Sequence, residues 1–130
     1  MPPRSLTLGD LLDEMAAARP DADALVFGGE RLSYRALKAR ADETARALLA
    51  AGVRRGDRVA LILPNRPEWL IAAFAAGKVG AITVGVSTFS SPREITWTIE
   101  HCRPAAGISA MAAEQSVQRW RRHPPPGHAR

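Results

Sequence analysis

A chain of 130 residues suits one domain, with enough length to bury roughly two thirds of its unfolded surface. With 46% hydrophobic and 24% charged residues it is neither a disordered tail protein nor a collagen-like fibre, and its single cysteine, Cys102, excludes an internal disulfide framework and fits a reducing compartment, the cytoplasm. The net charge of +5 is unevenly placed: residues 1–110 hold 14 basic and 12 acidic side chains, residues 111–130 hold four basic and one acidic, so the body lacks the basic stripe of a nucleic-acid binder.

The opening MPPRSLTLGDLLDEM has acidic residues where a signal peptide needs an apolar run. Thr7 stands three residues before Asp10, a capping-box spacing, and predicts the start of a helix whose face is Leu8, Leu11, Leu12 and Met15. Pro20 ends it. Ala24 to Phe27, then Gly28-Gly29, then Arg31-Leu32 reads as a hairpin with a glycine turn. Ser33 is the cap expected for a second helix, with Leu37, Ala41, Ala45, Leu48 and Leu49 as its buried stripe and Gly52 as its end. After a turn at Gly56-Asp57, the apolar run Val59 to Leu63 predicts a strand covered on both faces.

Asn65, three residues before Glu68, is the expected cap of a third helix running to about Val79 and apolar nearly all round. Ile82 to Val86 predicts the next strand. Residues 69–86 carry one charge in 18 positions, yet they make a poor membrane span. Lys78 would stand near the middle at a cost of about 2.5–3.5 kcal/mol, and three glycines interrupt the run. Ser91-Pro92-Arg93-Glu94 combines an N-cap serine, a proline at the first helical position and a capping-box glutamate. Ile95, Thr98, Ile99 and Cys102 follow on one face, Pro104 ends the helix, and Ala105 to Ser109 reads as a further strand. Strand, helix, strand, helix, strand in succession implies parallel strands with right-handed crossovers, so the fold class is α/β with a partial, mainly parallel sheet and flanking helices. Beyond residue 110, Ala113, Val117 and Trp120 suggest a weak helical turn or two, and RRHPPPGHAR has no apolar periodicity; residues 111–130 read as a basic Pro/Arg/His-rich, disordered tail.

Residues with chemical capacity mostly have a structural reading available. The loop STFSSPRE offers hydroxyls at a helix start, where anions bind, but Ser91 as a plain helix cap accounts for it more economically. Neither STFSSPRE nor PNRPEW, the turn after the VALIL strand, contains the glycines of a phosphate cradle. His101 and Cys102 are sequence neighbours, which point about 100° apart on a helix, so Cys102 is expected as a small buried side chain. The three histidines lack metal-ligand spacing with one another or with Cys102. Glu68 and Glu94 have capping roles available. Trp69 and Trp97 read as packing anchors, and Lys78 as the solvated end of a buried helix rather than a phosphate contact. The expectation is therefore no catalytic, cofactor-binding or metal-binding residue within the chain, no nucleic-acid partner and no membrane span.

GVRRGDRVALILPNRPEWLIAAFAAGKVGAITVGVSTFSSPREITWTIEHC, residues 52–102, resembles the opening part of adenylate-forming (AMP-binding) acyl-CoA synthetases. Upstream, LTLGDLLDEMAAARPDADALVFGGERLSYRALKARADETARALLAAG is similar to that superfamily's first helix, hairpin and S/T-Y-x-x-L helix. The resemblance covers residues 6 to about 110, which implies that residues 1–110 are the N-terminal part of such a domain and adopt the fold of its N-terminal subdomain. It implies a family reaction in which ATP activates a carboxylic acid as an acyl-adenylate, releasing pyrophosphate, before the acyl group passes to the thiol of coenzyme A. Mg2+ neutralises the phosphates. STFSSPRE leans toward fatty-acid-type ligases. The superfamily's Ser/Thr/Gly-rich loop ending in lysine, its ribose-binding acidic residue and its lysine-bearing lid have no counterpart in the 130 residues, so the resemblance transfers no functional residue. It implies a truncated, frame-shifted or split ligase, inactive alone, whose partner is the remainder of the enzyme. The alternative is a small non-catalytic α/β interaction module.

Overall fold

Thr7 begins the first helix as its spacing predicts: in the computed structural model, which describes residues 6–109 and the backbone of 116–119, its hydroxyl accepts a hydrogen bond from the Asp10 N–H at 3.1 Å. That helix, α1 (Leu8–Ala18), is followed by strands β1 (Asp23–Phe27) and β2 (Glu30–Ser33), which pair antiparallel. Phe27 faces Glu30 across the two-residue turn, where Gly28 and Gly29 both have positive φ (53° and 84°). A turn of that kind matches the twist of the flanking strands and is open to glycine at little cost.

Ser33 accepts from the Ala36 N–H and caps α2 (Tyr34–Ala50). Leu37, Ala41, Ala45 and Leu48 are buried as expected, but Leu49 is 57% exposed. Leu49 lies about 120° around the helix from Leu37, beyond the edge of the stripe that faces the sheet. Both α2 and α3 (Pro67–Lys78) end in the same way. The N–H of Val53 reaches the Leu48 carbonyl and that of Gly52 the Leu49 carbonyl, and Ala81 and Gly80 repeat the pattern onto Ala76 and Gly77. Each closure needs a left-handed residue, supplied by Gly52 (φ 87°) and Gly80 (φ 74°).

The main sheet holds β3 (Arg58–Ile62), β4 (Ile82–Gly85), β5 (Ala106–Ser109) and β6 (Ser116–Arg119), in the order β4-β3-β5-β6. β3 pairs parallel with β4 and β5, and β6 runs antiparallel to β5. The mainly parallel α/β expectation therefore holds. The weak helical turns expected around Val117 do not form, because Ser116–Arg119 finds a ladder partner in β5. Ala113 and Trp120, and the rest of 111–130, lie outside the described residues.

Alternation along β3 divides the sheet into two faces. Val59 and Leu61 join Ala106 and Ile108 of β5 in a cluster with Ala45 and Leu48 of α2 and Ala72, Ala75 and Ala76 of α3. Small alanines let α3 lie close to the sheet. Behind this layer, Leu12, Leu32, Leu37, Ala41 and Ile71 form a second cluster that fastens α1 and the hairpin to α2 and α3. Arg58 and Ala60 point to the opposite face. There the Arg58 guanidinium donates to the carbonyls of Cys102 (2.8 Å) and Arg103 (3.1 Å), so it anchors the C-terminal end of α4 (Pro92–Cys102) on that side.

Candidate functional site

Parallel strands direct their carboxyl ends to one side, and ligands of open α/β sheets bind in the crevice outside those ends. In this chain that edge is built from the β3–α3 loop, Leu63 to Arg66, and the β4–α4 loop, Val86 to Ser91. The loops are neighbours because β3 and β4 are paired, and Val86 extends the ladder by donating to the Leu61 carbonyl at 2.9 Å.

The β4–α4 loop is organised by serines. Phe89 N–H donates to the Ser87 hydroxyl (3.2 Å) and Ser90 N–H to the Ser87 carbonyl (3.1 Å). Ser91 N–H donates to the Glu94 carboxylate at 2.6 Å, and Glu94 N–H donates back to the Ser91 hydroxyl at 3.3 Å. This is the reciprocal capping box that the sequence predicts. The hydrogen bonds from the Ser91 backbone N–H and then from its side chain hold the Glu94 carboxyl below the ordinary glutamate range. Ser91 is committed to its own helix, which agrees with the cap reading rather than the anion reading.

At the β3–α3 loop the structure departs from expectation. Asn65 is not the cap. Arg66 occupies that position, extended at φ −136° and ψ 166°, with no side-chain cap bond, and Pro67 is the first helical residue. The cause is local: proline suits the first helical position, and the residue before it is driven to extended backbone. Glu68 therefore makes no cap either. Its Oε2 is the one buried side-chain N/O atom among the described residues without a hydrogen-bond partner. The nearest cations are Arg66 at 3.8 Å and Arg40, on the other oxygen, at 3.9 Å, both beyond hydrogen-bond reach. Nothing in the sequence spacing signals this, because Arg40 arrives from α2.

The remaining candidates are dispersed. Lys78 is not a solvated helix end. Its side chain is only 11% exposed and its ammonium sits 2.5 Å from Asp13 of α1 and 2.7 Å from Asp42 of α2. Lys38 joins the same cluster through Asp42 (2.5 Å). Burial by itself pushes the Asp42 carboxyl up, yet the hydrogen bonds from Lys38 and Lys78 outweigh it and hold the group below the usual aspartate range. The bond to Asp42 raises the Lys38 ammonium above its ordinary value against the opposing effect of burial. The cluster latches α1, α2 and α3 together, away from the carboxyl ends of the strands. Trp69 packs partly against the main core, as an anchor should, whereas Trp97 is 63% exposed and stacks on His101 with ring centroids 4.8 Å apart. Cys102 is half-buried rather than buried, because α4 contributes no fully buried residue.

A triphosphate needs backbone N–H groups that approach closely, usually through glycines at a helix start. The glycines of positive φ lie elsewhere: Gly28 and Gly29 in the hairpin, Gly52 and Gly80 at helix ends, and Gly56 just before β3. Among the described residues no three His, Cys, Asp or Glu side chains are grouped to hold a metal ion, and no helix is long and apolar enough to cross a membrane.

The sequence profile of the AMP-binding enzyme family matches residues 12–127, continuing past residue 110, where the resemblance read from the sequence stops. The acyl-CoA ligase sidI of Aspergillus fumigatus is 38% identical over 102 residues, covering 75% of this chain and 17% of that protein. A Mycobacterium tuberculosis fatty acyl CoA synthetase superposes with a TM-score of 0.76 at 30% identity, over 79% of this chain and 21% of that one. The Klebsiella oxytoca NpsA N-terminal subdomain superposes with a TM-score of 0.75 at 29% identity, over 83% and 28%. The chain spans less than a third of the length of each.

Proposed function

Because the chain belongs to the family of AMP-binding enzymes, we propose that it builds the N-terminal sheet of an ATP-dependent acyl-CoA ligase and does not catalyse by itself. The complete reaction joins a carboxylate oxygen to the α-phosphorus of ATP with loss of pyrophosphate. The thiol of coenzyme A then takes the acyl group and AMP leaves. The observation that carries the reading is a family match over residues 12–127 in a chain whose carboxyl-end loops hold no left-handed glycine. In this view the 130 residues supply the scaffold. The grip on ATP, Mg2+ and coenzyme A, and the carboxylic acid pocket, come from the remainder of the ligase. A fatty acid is the substrate class we favour, on the STFSSPRE loop and the likeness to a fatty acyl CoA synthetase, and the cytoplasm is the compartment. Residues 12–127 act as the ligase-like part, in which β6 extends the sheet beyond the boundary at residue 110 expected from the sequence.

The test is carboxylate-dependent exchange of labelled pyrophosphate into ATP. The purified chain is expected to show none with fatty or aromatic acids, and the same chain mixed with the rest of a ligase is expected to show exchange. Exchange by the chain alone would overturn the reading. A second reading, a small α/β interaction module, is favoured by the two well-buried clusters, which suit a self-standing fold. If the chain melts sharply as a monomer and no ligase remainder ever activates it, that second reading replaces the first.

A further inference from the structure

We propose that the end of the molecule formed by the amino ends of the parallel strands is a contact surface for an anionic lipid bilayer, an inference that goes beyond the proposed function and stands on the fold alone. Each crossover of a parallel sheet brings its helix back to the start of the next strand. Accordingly α2, α3 and α4 all finish at this end, and their connections to β3, β4 and β5 are neighbours. Gly56 N–H donates to the Gly80 carbonyl at 2.9 Å, and the Arg58 guanidinium holds the Arg103 carbonyl. The Arg55 side chain lies against Gly80, where a Cβ would stand 3.0 Å from the Arg55 Cγ. α1 starts here as well: a Cβ at Gly77, near the end of α3, would stand 3.4 Å from the Leu8 Cβ.

Two kinds of side chain collect on this end. Arg54, Arg55 and Arg103 are exposed cations on the connections. Three large aliphatic side chains accompany them, each more than half exposed: Leu8 at the start of α1 (59%), Leu49 near the end of α2 (57%) and Ile82 at the start of β4 (54%). Of the acidic groups, Asp57 is half-buried and accepts from the Arg54 N–H at 2.8 Å, while Asp10 and Glu100 are exposed in the turns of α1 and α4 that reach this end. Lys78 is engaged by Asp13 and Asp42. β6 finishes at the same end, with Arg119 opposite Ala106. From Arg119 onward the sequence holds Arg119, Arg121, Arg122 and Arg130 and no acidic residue, which is most of the chain's net charge of +5.

Cations interleaved with aliphatic side chains fit an anionic membrane surface. Arginines are drawn to the lipid phosphates while aliphatic tips enter the headgroup boundary, and no segment has to span. An acidic protein would attract the same arginines. The aliphatic residues, however, come from three separate elements, and a bilayer takes each of them without the matching pocket that a protein anchor needs. The loops at the carboxyl ends of the strands point away from such a surface.

The experiment sediments the full 130-residue chain with vesicles of phosphatidylcholine alone and of phosphatidylcholine mixed with phosphatidylglycerol. The chain is expected to sediment with the mixed vesicles only, and to be released as salt approaches about 1 M, where charges are screened within about 3 Å. Arg54→Glu combined with Arg55→Glu should weaken partitioning at least about tenfold, since one basic group near such a surface is worth roughly fivefold. Leu49→Ser combined with Ile82→Ser should weaken it with no change of charge. Arg19→Glu combined with Arg93→Glu makes the same change in net charge at exposed positions on the far ends of α1 and α4. That pair should cost less than about threefold, because screening confines the effect of a charge to its surroundings. Footprinting of the unsubstituted chain by hydroxyl radicals should show Leu8, Leu49 and Ile82 protected on vesicles and Val26 and Phe27 of the hairpin still reactive. This footprint decides the matter if circular dichroism shows a variant unfolded. No binding to the mixed vesicles, protection centred on the hairpin, or equal losses from the two arginine pairs would overturn the proposal. So would release by inorganic phosphate at an ionic strength where chloride releases nothing, the mark of a site for the free anion. Binding to soluble polyglutamate as tight as to vesicles would replace the bilayer with an acidic protein.

Discussion

Arg103 terminates α4 in the left-handed region at φ 47° and ψ 59°, the only described non-glycine residue with positive φ. A side chain there crowds the following carbonyl at a cost of about 1–2 kcal/mol. Its useful contact, the carbonyl that accepts from Arg58, belongs to the backbone and survives substitution. Arg103→Gly is therefore expected to stabilise the chain by about 1 kcal/mol after the greater freedom of glycine in the unfolded state is discounted. A rise in Tm measures it. Asp42 gives a pH-dependent counterpart. Its folded-state carboxyl lies below the ordinary aspartate value, so the stability it adds is present above that value and is lost as pH falls through the folded pKa. Lys38 is raised, so its share is present below the ordinary lysine value and is lost as pH rises through its folded pKa. Asp42→Asn should cost about 1–2 kcal/mol at neutral pH, since it strips a partner from the mostly buried Lys78. In urea titrations the gap between variant and parent should close in acid. A gap that stays constant with pH would remove the latch from the account.

Helix starts separate what sequence alone can reveal from what it cannot. Ser91-Pro92-Arg93-Glu94 is a local device whose donors, acceptors and proline lie within four residues, so its spacing was enough to read the cap. Ser91→Ala should lower stability by about 1 kcal/mol. At α3 two local rules competed, an Asn65–Glu68 spacing and a proline at residue 67, and the fixed φ of proline prevailed. Asn65→Ala is accordingly expected to change stability by less than about 0.5 kcal/mol, as an ordinary surface substitution does. A loss as large as that of Ser91→Ala would restore Asn65 as the cap. Lys78, Glu68 and Ser116–Arg119 escape the sequence for a different reason: their partners come from distant elements. Lys78 meets Asp13 and Asp42, Glu68 faces Arg40, and Ser116–Arg119 becomes a strand through β5. Leu49 and Trp97 are apolar, and their exposure depends on where neighbouring layers end rather than on any pattern of their own.

At the scale of the molecule, α2 and α3 belong to both apolar clusters and join them into one structure. Loss of packing in one cluster should therefore be felt throughout: Leu48→Ala, at the centre of the larger one, is expected to cost about 2–5 kcal/mol and to lower a single melting transition rather than split it. The order of elements and the parallel sheet were legible because each crossover leaves its apolar period and its punctuation in the chain. The lack of a buried residue on α4 was not, since it depends on tertiary packing rather than on any period in the chain. The proposed function requires a folded sheet whose strand ends carry no grip for nucleotide. Calorimetric titration of the intact, folded chain with Mg–ATP measures that most directly. It predicts no saturable heat up to millimolar nucleotide, and a saturable one-to-one isotherm with micromolar Kd would contradict it.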